Sequence, residues 1–140
     1  MVRIQKSSLC AIAALAVLAG VAALCVRAQS ESELAPETVL STYHVQSGHE
    51  AEFQTLLGKV WQTYRKEQLV DSEPHILVRA KDASGNTIFT EVFTWVSHYA
   101  PDHAPDSVKV LWRQMESLCK RPDGRSGIEG LEVEIITPKP

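Results

Sequence analysis

The chain has little cysteine, no cluster of basic residues and none of the short fingerprints that announce a reaction, and each absence argues against a class of function. Of its three cysteines, Cys10 and Cys25 lie in an apolar leader, so the chain without that leader keeps Cys119 alone and can form no internal disulfide. Cys119 falls on the apolar stripe of an expected helix, where a buried structural thiol is the better reading. No Gly-x-Ser-x-Gly elbow is present, and the segment from Gly124 to Gly130 matches neither common phosphate-binding glycine fingerprint. Acids outnumber Lys and Arg 17 to 14, with no run of basic residues to hold phosphates, which argues against nucleic acid and anionic membrane surfaces as partners. There is no internal repeat.

What the chain does have begins at its N-terminus. Arg3 and Lys6 precede an apolar run of 18 residues from Leu9 to Val26, and Val26-Arg27-Ala28 follows with small residues at the cleavage positions. This predicts a secretory signal peptide over residues 1–28. The run is near the lower limit for a spanning helix, so an uncleaved N-terminal membrane anchor is the alternative. Lipid attachment at Cys25 is a third reading, against which Leu24 stands where a small residue is wanted. All three place residues 29–140 outside the cytoplasm, periplasmic or secreted. Cleavage removes Arg3, Lys6 and Arg27 and no acid, which leaves 112 residues with a net charge of −6. That is one domain's worth of chain, able to bury a single core.

Residues 29–37, rich in Ser and Glu, read as a disordered tether, and residues 38–137 as the folded domain. Val39, Tyr43 and Val45 alternate in a first strand from Thr38 to Gln46. Ser47-Gly48-His49-Glu50 has capping-box spacing. Phe53, Leu56, Leu57, Val60, Trp61 and Tyr64 then form one stripe of a helix that should stop near Gln68, ahead of Asp71-Ser72-Glu73-Pro74. His75 to Lys81 and Thr87 to Val96 predict a hairpin about the turn Asp82-Ala83-Ser84-Gly85-Asn86. A second helix, beginning near Asp102 or Ala104, carries Val108, Leu111, Trp112, Met115 and Cys119 inward. Leu131, Val133 and Ile135 alternate in a last strand. The order β-α-β-β-α-β predicts an α+β, ferredoxin-like fold: a four-stranded antiparallel sheet with two helices on one face.

If Arg79 stands opposite Phe89, then Ile76, Val78, Ala80, Ile88, Thr90, Val92 and Thr94 share a side apolar enough to lie under the helices. The uncovered side is then expected to carry His75, Leu77, Arg79, Phe89, Glu91, Phe93 and Trp95, joined by Leu40, Thr42 and His44 of the first strand. Such an aromatic face calls for a partner sheet, a ligand or both.

The stretch Tyr43-His44-Val45-Gln46-Ser47-Gly48-His49-Glu50-Ala51-Glu52-Phe53 resembles the opening of antibiotic-biosynthesis-monooxygenase-like domains. Glu91-Val92-Phe93-Thr94-Trp95, with Ala104 and Val110-Leu111-Trp112, is similar to their third strand and second helix. The resemblance covers roughly residues 38–137 and implies a dimeric α+β barrel, in which two sheets pack face to face as a homodimer. Members include cofactor-independent oxygenases of polycyclic phenols and haem-degrading monooxygenases, the latter using an Asn, a Trp and a His. Trp95 and His103, or His98, match the last two loosely, while the first strand offers Thr42 and His44 in place of Asn, which argues against haem degradation.

The candidate chemistry is an imidazole beside a carboxylate in a semi-apolar cavity, with His44 or His75 as general base and Glu91 as its partner. Thr42, Leu77, Arg79, Phe93, Trp95 and His103 are the expected ligand contacts, with Arg79 stabilising a phenolate stacked on Trp95. The competing account is an Arg79–Glu91 cross-strand ion pair amid interface packing. His98 and His103 match no established zinc spacing, and Asp102 is better read as a helix cap, so no metal and no cofactor are expected. The functional expectation is an exported pocket protein acting as a cofactor-independent monooxygenase on a hydrophobic phenolic or quinonoid compound. Its alternative is a dimer that only binds a ligand or fills its own interface.

Overall fold

A computed structural model describes residues 34–121 and 123–136. The expected signal peptide, and the expected tether as far as residue 33, lie outside the described residues. Six elements follow in the anticipated order: β1 (Glu37–His44), α1 (Glu50–Lys66), β2 (Val70–Lys81), β3 (Thr87–Trp95), α2 (Asp106–Leu118) and β4 (Ile128–Glu132). The strands form one antiparallel sheet in the order β2-β3-β1-β4. Both helices bury their apolar stripes against the same side of it. This is the ferredoxin-like α+β arrangement. Among the described residues no helix is long and apolar enough to cross a membrane.

Each helix buries most of the stripe its sequence predicts: Phe53, Leu56, Leu57, Val60 and Tyr64 on α1, and Val108, Leu111 and Met115 on α2, joined there by Leu118. Trp61 and Trp112 are half-buried, and Cys119 lies beyond the end of α2 in extended backbone bridged to Val45. The helix ends differ from expectation for local reasons. The Ser47 capping box does not form as drawn; α1 starts after His49, and the Glu50 carboxylate accepts from the Gly48 N–H at 2.9 Å. α2 starts only at Asp106, and Asp102 does not cap it. Pro105 explains the delay, since a residue before proline is pushed out of helical conformation, and Ala104 holds that place.

Two strands also shift. β2 reaches back to Val70 through Asp71-Ser72-Glu73-Pro74, with a register irregularity between Val70 and His75. A proline excludes a central strand but not an edge one, and β2 is an edge. β4 is Ile128–Glu132, earlier than the alternation at Leu131 to Ile135 suggests. The chain before it crosses close to the end of α2. A Cβ on Gly127 would stand 2.3 Å from the Cys119 carbonyl carbon, so only glycine fits there.

The hairpin register is as anticipated, with Arg79 opposite Phe89. The faces of β2 and β3 are the reverse of the expectation. Phe89, Glu91, Phe93 and Trp95 are buried under the helices, whereas Ile76 and Val78 are 53% and 50% exposed on the other side, with Ile88, Thr90 and Val92. Volume decides this. The wedge between two helices and a sheet is filled by large rings: Phe53 packs on Tyr43 and Phe89 at centroid distances of 5.2 and 5.5 Å, and Tyr64 on Trp95 at 4.9 Å. The β-branched face that remains is flat and apolar. β1 keeps its expected sides, with Leu40, Thr42 and His44 on the uncovered face opposite Val92, Thr90 and Ile88.

Candidate functional site

Strand alternation on the covered side lines up Ser41 and Tyr43 of β1 with Glu91 and Phe89 of β3, and with Gly130 and Ile128 of β4. Ser41 and Gly130 are small, and a Cβ built on Gly130 meets nothing within 4 Å. These two small positions leave space between the sheet and α2. The resulting cleft has a volume of about 370 Å³, within the range of small-molecule sites. Its floor is Val39, Ser41, Tyr43 and Gly130, one wall is Tyr64, Phe93 and Trp95, and α2 closes it with Trp112, Met115 and Glu116.

Behind the floor sits a carboxylate that is only 2% exposed. Glu91 Oε2 accepts from the Tyr43 hydroxyl at 2.9 Å, and Oε1 lies 2.8 Å from His75 Nε2. The His75 ring is stacked on Trp61 of α1, with centroids 3.6 Å apart and planes 11° apart. A buried carboxylate is tolerated because both oxygens are engaged. Tyr64 is held from the other side: its phenol oxygen accepts from Trp112 Nε1–H. Burial, then the Glu91 charge and then Tyr64, push the Tyr43 hydroxyl well above the ordinary tyrosine range. Burial likewise raises Tyr64, against the lowering influence of the Trp112 N–H. Both phenols keep their protons at neutral pH.

The sheet divides the residues the sequence suggests for one site. His75 and Glu91 are bonded to each other, and Phe93 and Trp95 line the cleft beside them. His44 is on the opposite face, 3.3 Å from Glu129, and Thr42 lies on that face with Leu40 and Leu131. Leu77 and Arg79 are on the helix side of the edge strand but exposed. Glu91 is therefore bonded to His75 and Tyr43, and the Arg79–Glu91 pair does not form. His103 stacks on exposed Tyr99 at 3.8 Å, away from the cleft lining. His98 binds Glu37 at 2.8 Å. Among the described residues no three His, Cys, Asp or Glu side chains gather as a metal set. Cys119 is buried, and burial pushes its thiol up to about 12, which makes it inert as a nucleophile.

Sequence reasoning missed Tyr43, Tyr64 and Trp112 as site residues, because each stands on an apolar stripe and reads as core. It missed Ser41 and Gly130 because a space is made by what is small. A second depression, of about 400 Å³, lies among His44, Asp82, Asn86, Lys120 and Arg121. Most of its polar groups are already engaged: Arg121 pairs with Glu129 and Asp123, His44 lies 3.3 Å from Glu129, and Asp82 accepts from the Asn86 amide.

No protein-family model matches the sequence, and comparison with curated proteins found no relative. Solved structures do match in fold. SnoaB from Streptomyces nogalater, a cofactor-independent oxygenase, aligns with a TM-score of 0.53 at 17% identity, over 75% of this chain and 99% of SnoaB. Rv0793 from Mycobacterium tuberculosis aligns with a TM-score of 0.52 at 16% identity, over 74% and 98%. A candidate antibiotic biosynthesis monooxygenase from Caulobacter crescentus CB15 aligns with a TM-score of 0.51 at 20% identity, over 78% and 99%. The described domain thus has the fold of antibiotic-biosynthesis-monooxygenase-like proteins.

Proposed function

We propose that the cleft under α2 binds a hydrophobic aromatic compound, phenolic or quinonoid, and that the exported chain acts on it as a cofactor-independent monooxygenase. The observation that carries this reading is the cleft itself: an aromatic wall facing a floor kept open by Ser41 and Gly130. The fold shared with SnoaB supports the reaction class. Such chemistry takes its electrons from the substrate and its oxygen from dioxygen. It asks the protein to hold the ring, exclude water and accept a proton, and the Glu91 carboxylate is the acceptor for that last task, reached through Tyr43, whose oxygen takes the substrate proton as its own hydroxyl proton passes to Glu91 Oε2. The uncovered apolar sheet face supports a homodimer.

Binding without turnover is the second reading, favoured by the engagement of both Glu91 oxygens with protein partners. Trp95 and Trp112 in the wall report on either. Anthrone, 1-naphthol and 1,4-naphthoquinone are expected to quench tryptophan fluorescence in the native protein and not in Gly130→Leu, whose side chain occupies the cleft. Equal quenching in both proteins would remove the cleft as the site. Oxygen uptake with bound anthrone separates catalyst from binder, since a pure binder consumes none.

A further inference from the structure

The hydrogen bonds around the two buried phenols give the cleft a fixed polarity. Tyr43 and Tyr64 are each 5% exposed, and both line the cleft. A phenol has one proton to donate and lone pairs that accept. Tyr43 spends its proton on Glu91 Oε2, at 2.9 Å. What its oxygen has left for the cleft is acceptor capacity, of which the neighbouring Ser41 hydroxyl can take at most one lone pair. Tyr64 is the mirror case. Its oxygen accepts from Trp112 Nε1–H, and among the described residues its own O–H meets no acceptor. A buried hydroxyl with an idle proton is costly unless something completes it, and the side it shares with the cleft is where a partner can come from.

We infer that the cleft selects a planar aromatic ligand bearing a hydrogen-bond donor and a carbonyl, with Tyr43 Oη accepting from the donor and the Tyr64 O–H donating to the carbonyl. Burial disfavours ionisation of both phenols and so keeps the two protons in place through neutral pH. Tyr43 and Tyr64 are then specificity residues, and Glu91 and Trp112 are positioning residues that set which way each phenol points its proton. The inference rests on the cleft being a ligand site.

A matched set on one skeleton tests it: fluorene, 9-fluorenone, 2-hydroxyfluorene, 2-methoxyfluorene and 2-hydroxy-9-fluorenone, titrated by tryptophan fluorescence against the full chain. Each matched hydrogen bond should tighten binding about three- to tenfold, so 2-hydroxy-9-fluorenone binds best and fluorene worst. The methyl ether, which can only accept, should gain nothing over fluorene. Tyr64→Phe should erase the carbonyl's gain alone, and Tyr43→Phe the hydroxyl's alone. If either variant fails to fold, the probe order on the unaltered protein decides. Equal affinities across the set, or a methoxy compound as tight as the hydroxy one, would overturn the assigned polarity and leave the cleft standing. No binding by any probe, with Gly130→Leu indistinguishable from the native chain, would overturn the cleft and the polarity together.

Discussion

Glu91 is the residue whose surroundings set the most. It stands on a central strand at 2% exposure, and its two oxygens bind Tyr43 from β1 and His75 from β2. Three strands are thus fastened on the covered side by one carboxylate. Glu91→Ala would leave the Tyr43 hydroxyl without its acceptor and His75 without its partner, and would open a void beneath α1. The expected loss is about 2–4 kcal/mol of unfolding free energy, seen as a lower urea midpoint. Glu91→Gln, which keeps an acceptor for Tyr43, should lose less. A midpoint unchanged in Glu91→Ala would mean that the two bonds contribute nothing net. The sequence made Glu91 and His75 visible as a pair, since an acid and an imidazole on neighbouring strands draw attention. It hid Tyr43, because a tyrosine alternating with Val39 and Val45 looks like any other inward residue.

At the scale of elements, the buried sides of the helices were legible and their ends were not, and the strands were legible in part. A helix declares its buried side by itself: the spacing from Phe53 to Tyr64 leaves one arc for the core, and that arc is buried. A strand declares two sides and no preference between them. β3 alternates Ile88, Thr90, Val92 and Thr94 with Phe89, Glu91, Phe93 and Trp95, and both sets are apolar enough to be inside. A charged residue in the second set pointed outward, yet the rings around it are what fill the wedge. Register came out right and the side wrong, which moved the expected pocket to the opposite face. α1 also carries a residue its helix does not need. Gly58 is exposed in mid-helix, and a Cβ there meets nothing within 4 Å. Gly58→Ala should raise stability by about 0.5–1 kcal/mol through lost freedom of the unfolded chain. A thermal midpoint that falls would show that the position has another purpose.

At the scale of the whole molecule, the reversal of faces changes what a partner would meet. The uncovered side presents Leu40, Ile76, Val78, Ile88, Val92 and Leu131, with Thr42 and Thr90 among them. Leu131 is 65% exposed, and a contiguous aliphatic sheet surface of this kind is unusual on a monomer in water. Besides the His44 imidazole beside Glu129, no aromatic side chain and no buried acid among the described residues lies on it, so the face suits an interface, and the cleft under α2 lies on the other side of the sheet. Two such faces packed together would make the barrel that the resemblance implies. Native mass spectrometry of the protein recovered from its own host reads both the dimer and the cleavage proposals at once. The expected species has twice the mass of a chain that lacks residues 1–28. Val92→Arg, which places a charge at the centre of the uncovered face without touching the core, should give a folded monomer that still binds aromatic probes in its cleft. A native monomer would remove the interface from the account, and a chain of full mass would remove cleavage after Ala28. A Val92→Arg monomer that no longer binds would show that the second subunit completes the cleft after all.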